Sequence, residues 1–69
     1  MLPIITRISK RIGQPESAIV IDQPIYVEDS NVPRSLVHYR SNQEVDGSES
    51  HEYAGYVINN KFYCAIANR

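Results

Sequence analysis

Two apolar and aromatic runs, Tyr53 to Ile58 and Lys61 to Ala67, meet at Asn59-Asn60. That junction constrains the fold more than any other part of the chain. Asparagine tolerates the positive φ required at both central positions of a type I′ turn, and such a turn joins two antiparallel strands in a fixed register. Counting outward pairs Ile58 with Lys61, Val57 with Phe62, Tyr56 with Tyr63, Gly55 with Cys64, Ala54 with Ala65 and Tyr53 with Ile66. Side chains alternate between faces along a strand, so the pairing sorts the hairpin into two sets. Tyr53, Gly55, Val57, Phe62, Cys64 and Ile66 form one face and read as core. Ala54, Tyr56, Ile58, Lys61, Tyr63 and Ala65 form the other, which is apolar but carries two phenols and a lysine.

Upstream signals are weaker but consistent with a mixed fold. Isoleucines at 4, 5, 8 and 12 line one side of a helix. Pro3 suits a first turn, Lys10 and Arg11 suit a last turn, and Gly13 suits the position just beyond it. Pro15-Glu16-Ser17 reads as a turn, and Ala18 to Asp22 as a buried strand, because Ile19-Val20-Ile21 is β-branched and unbroken. Pro24 interrupts the run, Ile25-Tyr26-Val27 reads as a short strand after it, and Glu28 to Pro33 as a polar turn. Ser35 to Arg40 reads as a further strand, and Ser41 to Ser50 as a polar loop with a turn at Asp46-Gly47. The expected fold class is α+β and β-rich: a short N-terminal helix packed on a small antiparallel sheet that ends in a C-terminal β-hairpin. Residues 1–69 form a single domain with no repeats and no linker.

Size limits how such a domain is stabilised. A chain of 69 residues buries about 60% of the surface its unfolded form exposes. Its stability is on the order of 3–5 kcal/mol. Cys64 is the lone cysteine, which excludes an internal disulfide and a cysteine-rich zinc site. Packing or self-association is left to stabilise the fold, and a homodimer is the expectation. One unpaired cysteine fits a cytoplasmic location better than a secreted one. No apolar run reaches the ~20 residues of a membrane-spanning helix, so no membrane partner is expected.

Charge and chemistry narrow the function classes. Net charge is −1, with acidic stretches at Glu16 to Asp29 and Glu44 to Glu52. Binding of duplex DNA through many phosphates needs a clear basic excess, which this chain lacks. Cys64 with His38 or His51 offers a nucleophile and a base, but Cys64 falls on the core face, so a buried and chemically quiet thiol is expected. His38 and His51 lack a ligand spacing such as His-x-x-x-His, and Glu44, Asp46, Glu49 and Glu52 miss the calcium-loop pattern. No glycine-rich phosphate loop is present, so neither an enzyme nor a cofactor is expected. The constellation that remains is Tyr56, Lys61 and Tyr63 on one hairpin face, with Tyr39 and Arg40 as further candidates. Tyrosine is enriched at protein interfaces because its ring is apolar and its tip polar. The expected function is a small protein-binding module: an inhibitor, adaptor or accessory subunit with a protein partner. The alternative is a single-stranded nucleic-acid binder using Arg7, Lys10, Arg11, Arg34 and Arg40 with Tyr39. Coverage of the tyrosine face by the N-terminal helix would make it a second packed face rather than a contact surface.

Overall fold

The computed structural model describes residues 1–45 and 48–66, at backbone level only over 42–45 and 48–49. Helix α1 (Ile4–Ile12) is followed by a 3₁₀ turn (Glu16–Ala18) and strands β1 (Ile19–Ile21), β2 (Ser35–Val45), β3 (Ser48–Ile58) and β4 (Lys61–Cys64). The strands form one sheet in the order β1-β2-β3-β4, and every neighbouring pair is antiparallel. The α+β expectation holds, with the helix at the N-terminus and the hairpin at the far end of the sheet.

The helix has the boundaries its sequence signals. The Pro3 carbonyl accepts the N–H groups of Thr6 and Arg7, each at 3.1 Å. Gly13 turns into the left-handed region at φ 71°, where a missing Cβ removes the clash that other residues meet. The Gly13 and Gln14 N–H groups then donate to the Ser9 carbonyl at 2.9 and 3.3 Å. Lys10 and Arg11 lie over the last turn, where cations complement the exposed carbonyls. The buried stripe contains Ile8 and Ile12, and they meet Ile19, Val37 and Ala54 from the sheet. Tyr39, Val57, Phe62, Cys64 and Ile66 pack around this cluster from the same side.

The C-terminal hairpin forms as its turn dictates. Asn59 and Asn60 both take positive φ, at 49° and 63°. Gly55, Tyr56, Val57 and Ile58 pair with Cys64, Tyr63, Phe62 and Lys61 in the expected register. One residue upstream, the face assignment changes. Val37 pairs with Gly55, but the next residue, His38, pairs with Tyr53, so Ala54 is an extra residue without a β2 partner. This β-bulge inverts the alternation. Ala54, expected on the second face, is fully buried in the core, and Tyr53, expected in the core, is 52% exposed. Gly55 is required at the bulge. It sits at φ 144°, and a Cβ there would lie 2.1 Å from the Tyr63 carbonyl oxygen.

Three other expectations change. Ser41 to Ser50 is not a loop: β2 runs to Val45 and β3 starts at Ser48, with a register shift between Ser41 and Glu44. Polar side chains do not end a ladder that the backbone groups alone can continue, and the adjoining sheet anchors this ribbon. The expected turn at Asp46-Gly47 lies outside the described residues. Ile25 to Val27 is not a strand but a lone bridge of Ile25 to Arg34, because the next pair is engaged in the turn: the Val27 carbonyl accepts from Ser30 N–H at 3.3 Å and Val32 N–H donates to Ser30 Oγ at 3.2 Å. β1 is an edge strand in which Ile19 alone is buried. Among the described residues no helix is long and apolar enough to cross a membrane.

Candidate functional site

Helix α1 packs on the Val37 side of the sheet, and this leaves the opposite side as an open face. Alternation from Val37 places Arg34, Leu36, His38 and Arg40 of the β2 segment on that side. Beyond the bulge, Tyr56 and Ile58 join them from β3, and Lys61 and Tyr63 from β4. The bulge adds Tyr53, which pairs with His38.

The central feature of this face is a stack across three strands. Tyr56 and Tyr63 are directly opposite each other, with ring centroids 5.2 Å apart and planes within 17° of parallel. The Arg34 guanidinium lies over the Tyr56 ring, 4.6 Å from its centroid, an attraction between a cation and the negative ring face. Arg34 comes from the β2 side and Tyr63 from the β4 side, so both faces of the Tyr56 ring are occupied. Tyr56 is half-buried as a result, whereas Tyr63 is 45% exposed at the end of the stack. Arg34 Nε is shielded from solvent and has no hydrogen-bond partner among the described residues. Lys61 is exposed two pairs away, beside the turn.

The five expected contact residues divide. Tyr56, Lys61 and Tyr63 share the open face. Arg40 also reaches that face, and its guanidinium donates to the Ser17 carbonyl, tying β2 to the 3₁₀ turn. Tyr39 does not belong with them. It pairs with Ile19 and Glu52, points to the covered side and packs against the isoleucine core. One residue of strand separates it from Arg40, and one residue is enough to change faces.

The fold also assembles a cluster that the sequence spacing hides. His38 Nδ1 and His51 Nδ1 are 2.9 Å apart, and His38 Nε2 is 3.1 Å from an Asp22 carboxylate oxygen. The ring centroids are 5.0 Å apart. Pairing of His38 with Tyr53 and of Arg40 with His51 makes the two histidines diagonal neighbours on the open face. The Nδ1–Nδ1 contact requires one imidazole to donate and the other to accept, so the two rings are coupled in their proton placement. Among the described residues no three His, Cys, Asp or Glu side chains are placed to hold a metal ion. Cys64, expected to be buried, is half-buried on the covered side, where Sγ lies 3.6 Å from the Ile66 carbonyl oxygen.

Among the described residues, Arg34, Arg40 and Lys61 lie on the open face with Asp22 beside them, although the whole chain carries −1. Arg7, on the helix, is engaged elsewhere: its guanidinium donates to the Leu2 carbonyl at 3.2 Å and the Asn60 carbonyl at 3.1 Å. Compared with protein families, curated proteins and solved structures, the chain matches none.

Proposed function

We propose that this domain is a protein-binding module that works through its open sheet face, with Tyr56, Tyr63 and Lys61 at the centre. The observation that carries the proposal is the Arg34–Tyr56–Tyr63 stack on the side of the sheet that the helix leaves uncovered. A stacked, cation-braced pair of rings is ordered before any partner arrives, so little side-chain entropy is lost on binding. The rings present apolar edges and phenol oxygens to the outside, which suits a protein surface with a polar rim. Anchors of this kind contribute ~2 kcal/mol or more each.

The second reading is a single-stranded nucleic-acid binder, and one observation favours it: Arg34, Arg40 and Lys61 share the tyrosine face. Stacking on bases requires open ring faces. Tyr56 has none left, because Arg34 covers one side and Tyr63 the other, and Tyr63 keeps only its outer face, which gives a single ring rather than a platform for successive bases. Tyr39, the aromatic residue first assigned to this role, is on the covered side. The protein-binding reading is therefore the stronger one.

Affinity capture from host lysate, followed by mass spectrometry, tests it with wild type, Tyr63→Ala and Lys61→Ala side by side. A partner held by wild type and lost from Tyr63→Ala, with the melting temperature nearly unchanged, supports the module. Partner capture that survives both substitutions rules the face out. Binding of labelled single-stranded oligonucleotides that weakens steeply with salt would move the assignment to the second reading.

A further inference from the structure

The two edges of the sheet differ in how they are guarded. Edge strands present unpaired backbone groups that can pair with another chain, and natural sheets blunt them with proline, charge or brevity. β1 is three residues long and lies between Pro15 and Pro24. β4 is four residues long, contains no proline and carries Lys61 as its lone charge. Along β4, backbone groups alternate in direction. The residues flanking a two-residue turn bond to each other, and Ala65 N–H donates inward to the Ala54 carbonyl at 2.8 Å. Residues 61, 63 and 65 therefore bond toward β3, and Phe62 and Cys64 direct their N–H and C=O groups outward. Among the described residues no strand pairs with that outer side.

We infer that the β4 edge pairs with the β4 edge of a second copy of this chain, antiparallel about a two-fold axis at Tyr63. Three features select this occupant and this register. Phe62 falls opposite Cys64 of the second copy, so outward-pointing groups meet outward-pointing groups in hydrogen-bonded pairs. Tyr63 falls opposite its own copy in the closer, non-bonded pair, and its outer ring face continues the stack through to the second Tyr56. Lys61 falls opposite Ala65 of the second copy, so no like charges meet. The two-fold joins two sheets of four strands into one, with both helices on one side and both tyrosine stacks on the other. The pairing shares Tyr63 with the proposed open-face contact, and sedimentation of the chain without any partner reads the pairing separately from that contact.

Sedimentation of the purified chain over a concentration series, in the absence of any partner, tests the pairing. Wild type sediments as a dimer that dissociates on dilution. Tyr63→Glu sets two carboxylates against each other on the axis and weakens the dimer by about tenfold or more, while circular dichroism remains that of the folded chain. The register has its own test. Tyr63→Cys combined with Cys64→Ser forms a disulfide-linked dimer on mild oxidation, because a non-bonded pair brings its Cα atoms within bridging distance. Wild type does not crosslink through Cys64, which faces Phe62 rather than itself. Monomer alone at high micromolar concentration overturns the inference, as does a Tyr63→Glu dimer of undiminished affinity. A crosslink through native Cys64 overturns the register.

Discussion

On the helix side of the sheet, Val37 and Ala54 are fully buried beneath Ile8 and Ile12; on the other side Tyr53 and Tyr63 keep about half their surface in water. Both sides are built from the same strands. The covered side is small and aliphatic at its centre, as close packing against a helix demands. The open side carries large rings and cations that order one another without a covering layer. What separates them is the phase of β3, and that phase is set where Ala54 is inserted opposite β2. The comparison shows that a single unpaired residue decides which side chains are spent on stability and which remain outside for contact.

The strongest way to break this division is to occupy the space at the bulge. Gly55→Ala sets a methyl group against the Tyr63 carbonyl at a backbone angle that L-residues avoid. The expected loss is about 3 kcal/mol or more, comparable to the whole stability of a domain this small. Urea titration should find the variant largely unfolded at room temperature; a folded variant within about 1 kcal/mol of wild type would show that the bulge can relax. Next in size is the contrast between the sides themselves. Ile8→Ala removes a fully buried side chain and should cost about 2–4 kcal/mol, whereas Tyr56→Ala on the open side should cost about 1 kcal/mol. Equal losses would mean that the open side is also core. The smallest expected effect sharpens the register. Asn60→Gly relieves an asparagine held at φ 63° and should raise stability by about 0.5 kcal/mol, read as a small increase in melting temperature.

How legible the molecule is in its sequence depends on the range of the interaction involved. The helix Ile4–Ile12 and the turn at Asn59-Asn60 are written locally, in the isoleucine spacing, in Gly13 and in two adjacent asparagines. The Tyr56–Tyr63 stack is legible because a two-residue turn propagates its register outward. The bulge is not, since Tyr53 to Ile58 reads as an unbroken apolar run and Ala54 fits either side by size. Gly55 was the available signal, because glycine within a strand marks a bulge or a close backbone approach. The His38–His51–Asp22 cluster requires the pairing of three separate segments, which no spacing along the chain encodes. The strand through Ser41 to Val45 was hidden for another reason: its ladder is made of backbone groups, and composition reports only side chains.

The bond from Arg7 to the Asn60 carbonyl joins residues 53 positions apart, and the isoleucines of α1 meet Phe62 and Ile66 across a similar span. Synthesis runs from the N-terminus, so α1 leaves the ribosome before the sheet it packs on, and its partners on the hairpin are made last among the described elements. A helix of nine residues is marginal in water by itself. Its apolar stripe therefore depends on the sheet for stability, and its contacts with β4 form only once the hairpin has been made. Ile19 and Val37 precede the hairpin along the chain, but the bond to Asn60 and the packing on Phe62 and Ile66 require it, so the core is completed only where the helix and the hairpin meet.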